Sequence, residues 1–320
     1  MAKKSNSHKK KDVVTPVTTW QAEYVHELKA QLLHQFKSGD RQGVYGYTQR
    51  TMGYHSNRIE GSTLTPEQTA SMFDTGTITP NGEDDFPVRT KDIEEMTGHF
   101  LMFNHMLRHM DEPLSEQLIK DMHRQLVSGV FEYRANGYAV GDYKKRANYV
   151  GSITTSLPQN VPEDMRDLLA WYGALEEIDL DSIAEFHSRF EHIHPFQDGN
   201  GRVGRMILFR ECARNDIPPV IIRSENKVKY IQNLNTSQTA PPQMDRLVRY
   251  MASEQQAYMK ATIPMLFDYD KAAELTAQLI GNPAHAPAPG QRPSELISAT
   301  NELLGITETV KDAGDNTQMQ

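Results

Sequence analysis

The sequence is short of several things, and each shortage narrows what the protein can be. There is one cysteine among 320 residues, Cys212, so neither an intramolecular disulfide nor an all-cysteine metal site can form. Apolar runs such as Met206 to Phe209 are a few residues each, whereas a membrane-spanning helix needs about 20; no membrane partner is expected. No apolar stretch near Met1 resembles a secretory signal, and a reducing, cytoplasmic setting is the expectation. Positive charge is not in excess either. Lys+Arg total 34 and Asp+Glu total 42, a formal net charge of −8. Gripping a nucleic-acid backbone runs on surplus Lys and Arg, so nucleic acid is not an expected partner. Hydrophobic residues at 38% and charged residues at 24% describe a somewhat polar globular chain rather than a disordered one.

What is present is mostly helical pattern. Residues 1–15 are expected to form a disordered basic tail, because the opening MAKKSNSHKKKD carries five lysines and no large apolar residue after Met1. Residues 16–89 are expected to be a helical N-terminal region. Tyr24, Leu28, Leu32 and Phe36 recur every fourth position and predict a helix from Trp20 to about Leu33. Thr65, Pro66 and Gln68 open another, as cap, first helical residue and capping-box partner. Residues 75–87 are turn-rich and predict a loop. Within residues 90–262, helices are predicted over 91–109, 114–126, 165–176, 183–192, 201–214, 227–234 and 243–259. Residues 134–153 hold three glycines and lack a helical period, which predicts short extended segments in a small hairpin. Residues 263–320 are expected to be a C-terminal extension, with a Pro-rich linker over 281–293 and a short helix over 294–304. The fold class is mostly α with one small β element.

Chemistry concentrates in His194-Pro195-Phe196-Gln197-Asp198-Gly199-Asn200-Gly201-Arg202-Val203-Gly204-Arg205. A helix stops at the His-Pro pair, since a residue before proline avoids the α region. Asp-Gly-Asn-Gly then makes a tight turn into a new helix, whose first N–H groups and positive dipole end form an anion site. Arg202 and Arg205, three apart, share a face. Asp198 offers the hard oxygen that Mg²⁺ takes alongside phosphate oxygens. His194 has a pKa suited to accepting a proton. These are parts for transferring a phosphorus-centred group. A metal hydrolase built on His187, His192 and His194 is disfavoured, because the first two do not share a helix face and no HExxH pattern occurs. His123 is expected to be a hydrogen-bonded core residue and Cys212 a buried apolar one.

At every specified position this segment resembles the Fic signature HPFx(D/E)GNGRxxR. Leu118–Leu126, Gly141–Ser152 and Pro218–Ile222 with Tyr230 are similar to further Fic segments, so the resemblance covers about residues 90 to 260. It implies a Fic-type helical bundle with a small β-hairpin flap. The implied activity is transfer of AMP from ATP to Ser, Thr or Tyr hydroxyls of a target protein, and of the enzyme itself, with release of pyrophosphate. On that resemblance His194 is the base, Phe196 anchors the loop and Asp198 holds Mg²⁺. Gly199, Asn200 and Gly201 cradle the phosphates, Arg202 and Arg205 reach the β- and γ-phosphates, and Tyr230 lies at the nucleotide. Asn148, Tyr149, Val150, Gly151, Ser152 and Ile153 form the flap that docks the target as an added strand. Gly201 in place of a lysine disfavours the kinase-like branch, and Gly199 in place of an alanine disfavours phosphocholine transfer. Ile231 and Gln238 depart from the aromatic residue and asparagine that members often carry near adenine.

Ser56-Asn57-Arg58-Ile59-Glu60-Gly61 puts Ser56 and Glu60 on one helix face and ends on a natural helix stop. It resembles the inhibitory (S/T)xxxE(G/N) motif, in which the glutamate pairs with the signature's second arginine, here Arg205, and takes the γ-phosphate's place. A non-catalytic nucleotide- and protein-binding regulator, or transfer of another phosphate-containing moiety, is the alternative. A homo-oligomer is left open.

Overall fold

The computed structural model describes residues 17–78, 87–150 and 153–281. The expected basic tail, Gly151 and Ser152 of the expected flap, and the linker and helix expected beyond 281 lie outside the described residues. One compact unit runs through Leu266 and a second begins at Phe267.

Twelve α-helices occur among the described residues: α1 (Thr19–Ser38), α2 (Val44–Ile59), α3 (Pro66–Thr75), α4 (Thr90–Arg108), α5 (Glu116–Val127), α6 (Phe131–Ala135), α7 (Val161–Gly173), α8 (Leu180–Ile193), α9 (Asn200–Arg214), α10 (Lys227–Ser237), α11 (Met244–Leu266) and α12 (Tyr269–Leu279). β1 (Tyr149–Val150) and β2 (Ile153–Thr154) pair antiparallel, Tyr149 opposite Thr154 and Val150 opposite Ile153. None of the helices is long and apolar enough to cross a membrane.

Local chemistry sets most of the helix ends. Thr65 and Gln68 close their capping box around the start of α3, with Gln68 N–H donating to Thr65 Oγ1 at 3.1 Å. Ser115 caps α5 through Leu118 N–H at 3.2 Å, and Asp179 caps α8 through Ser182 N–H at 2.8 Å. Pro162 stands inside the first turn of α7 instead of preceding it, where its missing N–H costs nothing; the helix therefore starts earlier than the sequence pattern predicts.

Besides α7, four helices depart from the sequence pattern: α2, α11, α12 and α6, whose five residues are too few to show a period and whose end overlaps the 134–153 stretch expected to be extended. α2 was not predicted as a full helix, because Gly46 and Gly53 weaken its local propensity. Gly46 is required by packing: a Cβ there would lie 1.8 Å from the Arg41 carbonyl oxygen. α11 runs past the predicted end at Met259, through Pro264 to Leu266. α12, in the second unit, buries Ala272, Leu275 and Ala277, and two alanines give a hydrophobic period little amplitude.

Within the first unit α9 is the central element. All its residues except Gly201 and Arg214 are buried, so it is enclosed on every side rather than amphipathic. α8 and α5 pack on it, as do α2 and α4. Phe209 of α9 meets Phe103 of α4 and Tyr258 of α11 at ring separations of 5.8 and 5.9 Å. The N-terminal helices belong to the same core: the Tyr24 and Thr262 hydroxyls bond at 2.7 Å, and Thr48 and Tyr258 at 2.6 Å. Helices α8 and α9 form a hairpin whose short connection, His194 to Gly199, carries the signature.

Candidate active site

The connection is built by its own side chains. His194 caps α8 in the left-handed conformation, φ 53° and ψ 60°, a region that costs a residue with a Cβ about 1–2 kcal/mol. Phe196 drops into the core and stacks on His123, ring centroids 3.9 Å apart and planes 3° from parallel. His123 in turn accepts the Gly141 N–H at Nδ1 (3.0 Å), which leaves its Nε2–H to donate to the Asp198 carbonyl at 3.2 Å. Tyr133 donates to the same carbonyl at 2.6 Å. His123 is thus the buried, hydrogen-bonded residue its sequence position suggested, with its pKa driven down by burial to about 3.

Asn200 spends its side chain on the loop. Its Oδ1 accepts the Phe196 N–H at 2.7 Å and its Nδ2 donates to the Phe196 carbonyl at 2.8 Å. Its amide therefore closes the turn rather than facing a phosphate, and what it can present to an anion is its main chain. α9 starts at a left-handed Gly199, φ 82°, with no side-chain cap. The N–H groups of the first turn, at Asn200, Gly201 and Arg202, are therefore left for a ligand.

His194 Nδ1 lies 3.2 Å from the Glu191 carbonyl oxygen. A carbonyl only accepts, so Nδ1 carries the hydrogen and Nε2 keeps its lone pair. Burial lowers the imidazole pKa to about 4; the bond to Glu191 works the other way, and the charge of Lys144 works with burial. The ring is neutral at pH 7 and able to take a proton. The Glu191 carboxyl, one turn back, is itself pushed up to about 7 by burial.

Both signature arginines are buried, not solvated. Arg202 pairs with Glu95 at 3.0 Å and lies 3.5 Å from Asp198 Oδ1. Asp198, half-buried, also accepts the Gly199 N–H at 2.6 Å. Burial works to raise the Asp198 pKa, but Arg202 and that N–H bring it below its usual value, so it is an anion at pH 7. Among the described residues no group of three or more His, Cys, Asp or Glu could hold a metal ion, and His187, His192 and His194 make no such cluster.

Arg205 meets the N-terminal region. Its Nε donates to Ser56 Oγ at 3.0 Å and its Nη2 to the Ser56 carbonyl at 3.0 Å and to Glu60 Oε1 at 2.7 Å. The Glu60 pKa is lowered: burial opposes ionisation, and Arg205 and then Arg202 outweigh it. A Cβ on Gly201 would fall 2.3 Å from Glu60 Oε1. The Glu60 carboxylate therefore lies over the start of α9 at Gly201, where helix polarity favours an anion.

Other predicted residues sit as follows. Tyr230 is buried, and its hydroxyl donates to His187 Nε2 at 2.9 Å, while His187 Nδ1 faces the Gly204 carbonyl at 3.3 Å. The tyrosine ties α10 to α8 and α9 with its polar end already used. Asn148 donates to the Phe196 carbonyl at 2.9 Å, joining the base of the hairpin to the signature loop. Cys212 is buried. The sequence reading did not single out Glu95, Glu191 or Lys144. Glu95 sits one turn before His99 on an ordinary helix, and Lys144 sits in a Lys-Lys-Arg run that reads as surface.

Residues 113–212 match the model of the Fic/DOC family. The chain is 27% identical over 247 residues to the protein adenylyltransferase fic-1 of Caenorhabditis elegans, covering 75% of this chain and 46% of the relative. It is 27% identical over 270 residues to the protein adenylyltransferase Fic of Drosophila grimshawi, 78% of this chain and 52% of the relative. The chain thus spans about half the length of the curated relatives it matches. Among solved structures, a Fic domain-containing signaling protein from Bacteroides thetaiotaomicron has a similar fold, with a TM-score of 0.58 and 23% identity over 82% of this chain and 98% of the other. Fic-1 of C. elegans matches with a TM-score of 0.56 and 24% identity, over 75% of this chain and 71% of the other.

Proposed function

The chain carries a Fic/DOC-family domain, and from that premise we propose that it transfers AMP from ATP to a Ser, Thr or Tyr hydroxyl of a target protein and is held back by Glu60. The observation that carries the reading is a neutral imidazole with a free Nε2 beside an uncapped helix start flanked by two buried arginines. The acceptor hydroxyl gives its proton to His194 Nε2, and its oxygen forms the new bond to the α-phosphorus. The bond from that phosphorus to the bridging oxygen of the β-phosphate breaks, and pyrophosphate leaves with the electron pair. The N–H groups at the start of α9 hold phosphate oxygens, and Arg202 and Arg205 face the β- and γ-phosphates.

One ionised carboxylate suits Mg²⁺, which typically takes one or two protein carboxylates and completes its shell with phosphate oxygens and water. Asp198 would hold it, and the ion would neutralise charge on the phosphates. The antiparallel pair at 149–154 is read as the flap, against which an extended target segment adds as a strand, bringing its hydroxyl to His194. Main-chain pairing of this kind asks little of the target's sequence.

Glu60 supplies the restraint by giving Arg205 a carboxylate in place of a phosphate. A hydrogen bond to a charged group contributes about 1.5–3 kcal/mol, so removing it should raise transfer roughly ten- to a hundredfold. The test uses Glu60→Gly protein with ATP labelled at either the α- or the γ-phosphorus, in the presence of Mg²⁺ and a cell lysate. Label entering protein from the α position only, and lost again on adding His194→Ala, is the expected result. Entry from the γ position would make the protein a kinase, and no entry from either would leave the non-catalytic reading.

A further inference from the structure

Lys144 stands outside the signature, yet its contacts converge on it. The residue is 2% exposed, and among the described residues no carboxylate pairs with it. Its ammonium donates to Asn148 Oδ1 at 2.6 Å, Thr155 Oγ1 at 2.9 Å and the Ile193 carbonyl at 3.3 Å, which uses all three of its hydrogens. Its main-chain N–H donates to the Pro195 carbonyl at 2.9 Å. Ile193 and Pro195 are the neighbours of His194 on either side. Asn148 precedes β1 and Thr155 follows β2, and Thr155 Oγ1 bonds back to Asn148 Oδ1 at 2.8 Å. Asn148 then reaches the Phe196 carbonyl at 2.9 Å.

Burying an ammonium among neutral oxygens is costly, and burial lowers the Lys144 pKa to about 8, against the longer-range pull of Asp164 in α7. A hydrophobic residue of the same length would fill the space without that cost, which points to a use for the donors and the charge. We propose that Lys144 is a positioning residue that locks both feet of the hairpin to the carbonyls flanking His194, so that the base and the docked target hydroxyl share one rigid frame. The inference deepens the proposed AMP transfer and rests on it. Two effects follow. Alignment of hydroxyl and imidazole depends on this clamp, and a misplacement of about 1 Å can cost on the order of a hundredfold in rate. The ammonium also disfavours the imidazolium. The groups acting on His194 are Glu191 from α8, Lys144, Glu60 just past the end of α2 and Asp198 from the loop, and Lys144 is the cation among them.

The test compares Lys144→Met with Lys144 in Glu60→Gly protein, using ATP and a protein acceptor. Expected is a kcat lower by about a hundredfold with the KM for ATP unchanged. By NMR of ¹³C-labelled histidine, with His194 assigned from the His194→Ala spectrum, the imidazole should titrate at higher pH once the ammonium is gone. Unchanged kcat with an unmoved titration overturns the proposal, as does a kcat loss matched by a rise in ATP KM, which is the pattern of general damage. If Lys144→Met does not fold, Thr155→Val removes one acceptor while keeping shape, and it must lower kcat in the same direction without altering ATP KM. Absence of any transfer by the Glu60→Gly parent would sink the proposed function itself. The histidine titration needs no turnover and still decides whether Lys144 acts on His194.

Discussion

His194 combines two constraints that its place in the sequence makes compatible. Its left-handed backbone ends α8, and its Nδ1–H is committed to the Glu191 carbonyl. As the proposed base, His194 must be unprotonated, so the proposed transfer should be lost as pH falls through the folded-state pKa near 4, not through the ordinary histidine value of about 6.5. Glu60 favours the imidazolium, so the Glu60→Gly protein should lose activity at lower pH still. A profile of kcat/KM against pH for that protein checks this; an acid limb near the ordinary value would show the imidazole to be solvated. Ser56, Glu60, Arg202, Arg205 and His194 were all legible as short-range patterns. Lys144, Glu95 and Glu191 were not, since each acquires its meaning from a partner distant in sequence or from burial. Asn200 was legible as a site residue, but the use of its amide on Phe196 was not.

At the scale of elements, the signature loop rests on helices that approach closely. Gly98 in α4 lies against α5: a Cβ there would be 1.9 Å from the Leu126 carbonyl oxygen. Backbone cannot rotate away as a side chain would. Gly98→Ala should therefore destabilise the fold by about 1–3 kcal/mol, although alanine is the better helix former. Urea denaturation measures it, and a neutral or stabilised variant would show that the two helices can separate freely. α4 carries Glu95 and α5 carries His123, so the same change should disturb the floor beneath Asp198. Caps and apolar stripes made α1, α3, α4, α5 and α8 legible. α2 was obscured by the glycine that its packing demands, and α12 by the alanines on its buried face.

At the scale of the whole molecule, the segment that carries the proposed restraint is part of the core and not an appended domain. Tyr24, Leu28 and Leu32 of α1 are fully buried, and α1 and α2 hydrogen-bond into α11. Deleting residues 1–59 to remove the Ser56 contact should therefore yield aggregated protein, not an activated enzyme, and size-exclusion chromatography of the truncated chain reads this directly. A soluble, monodisperse truncation that retains its helical circular dichroism would separate the two. Composition was a sound guide to a globular chain and periodicity to a helical one, but neither gave a sign that the first helices share a core with those around the signature, because such sharing depends on which apolar stripes meet.

The Glu60 carboxylate is carried by the same chain as the cradle it covers. A tethered occupant of this kind acts at a fixed effective concentration, in the millimolar range for short connections, which dilution of the protein cannot reduce. On the proposed function, the nucleotide concentration around the protein, rather than the abundance of the protein, then sets how often the seat falls vacant.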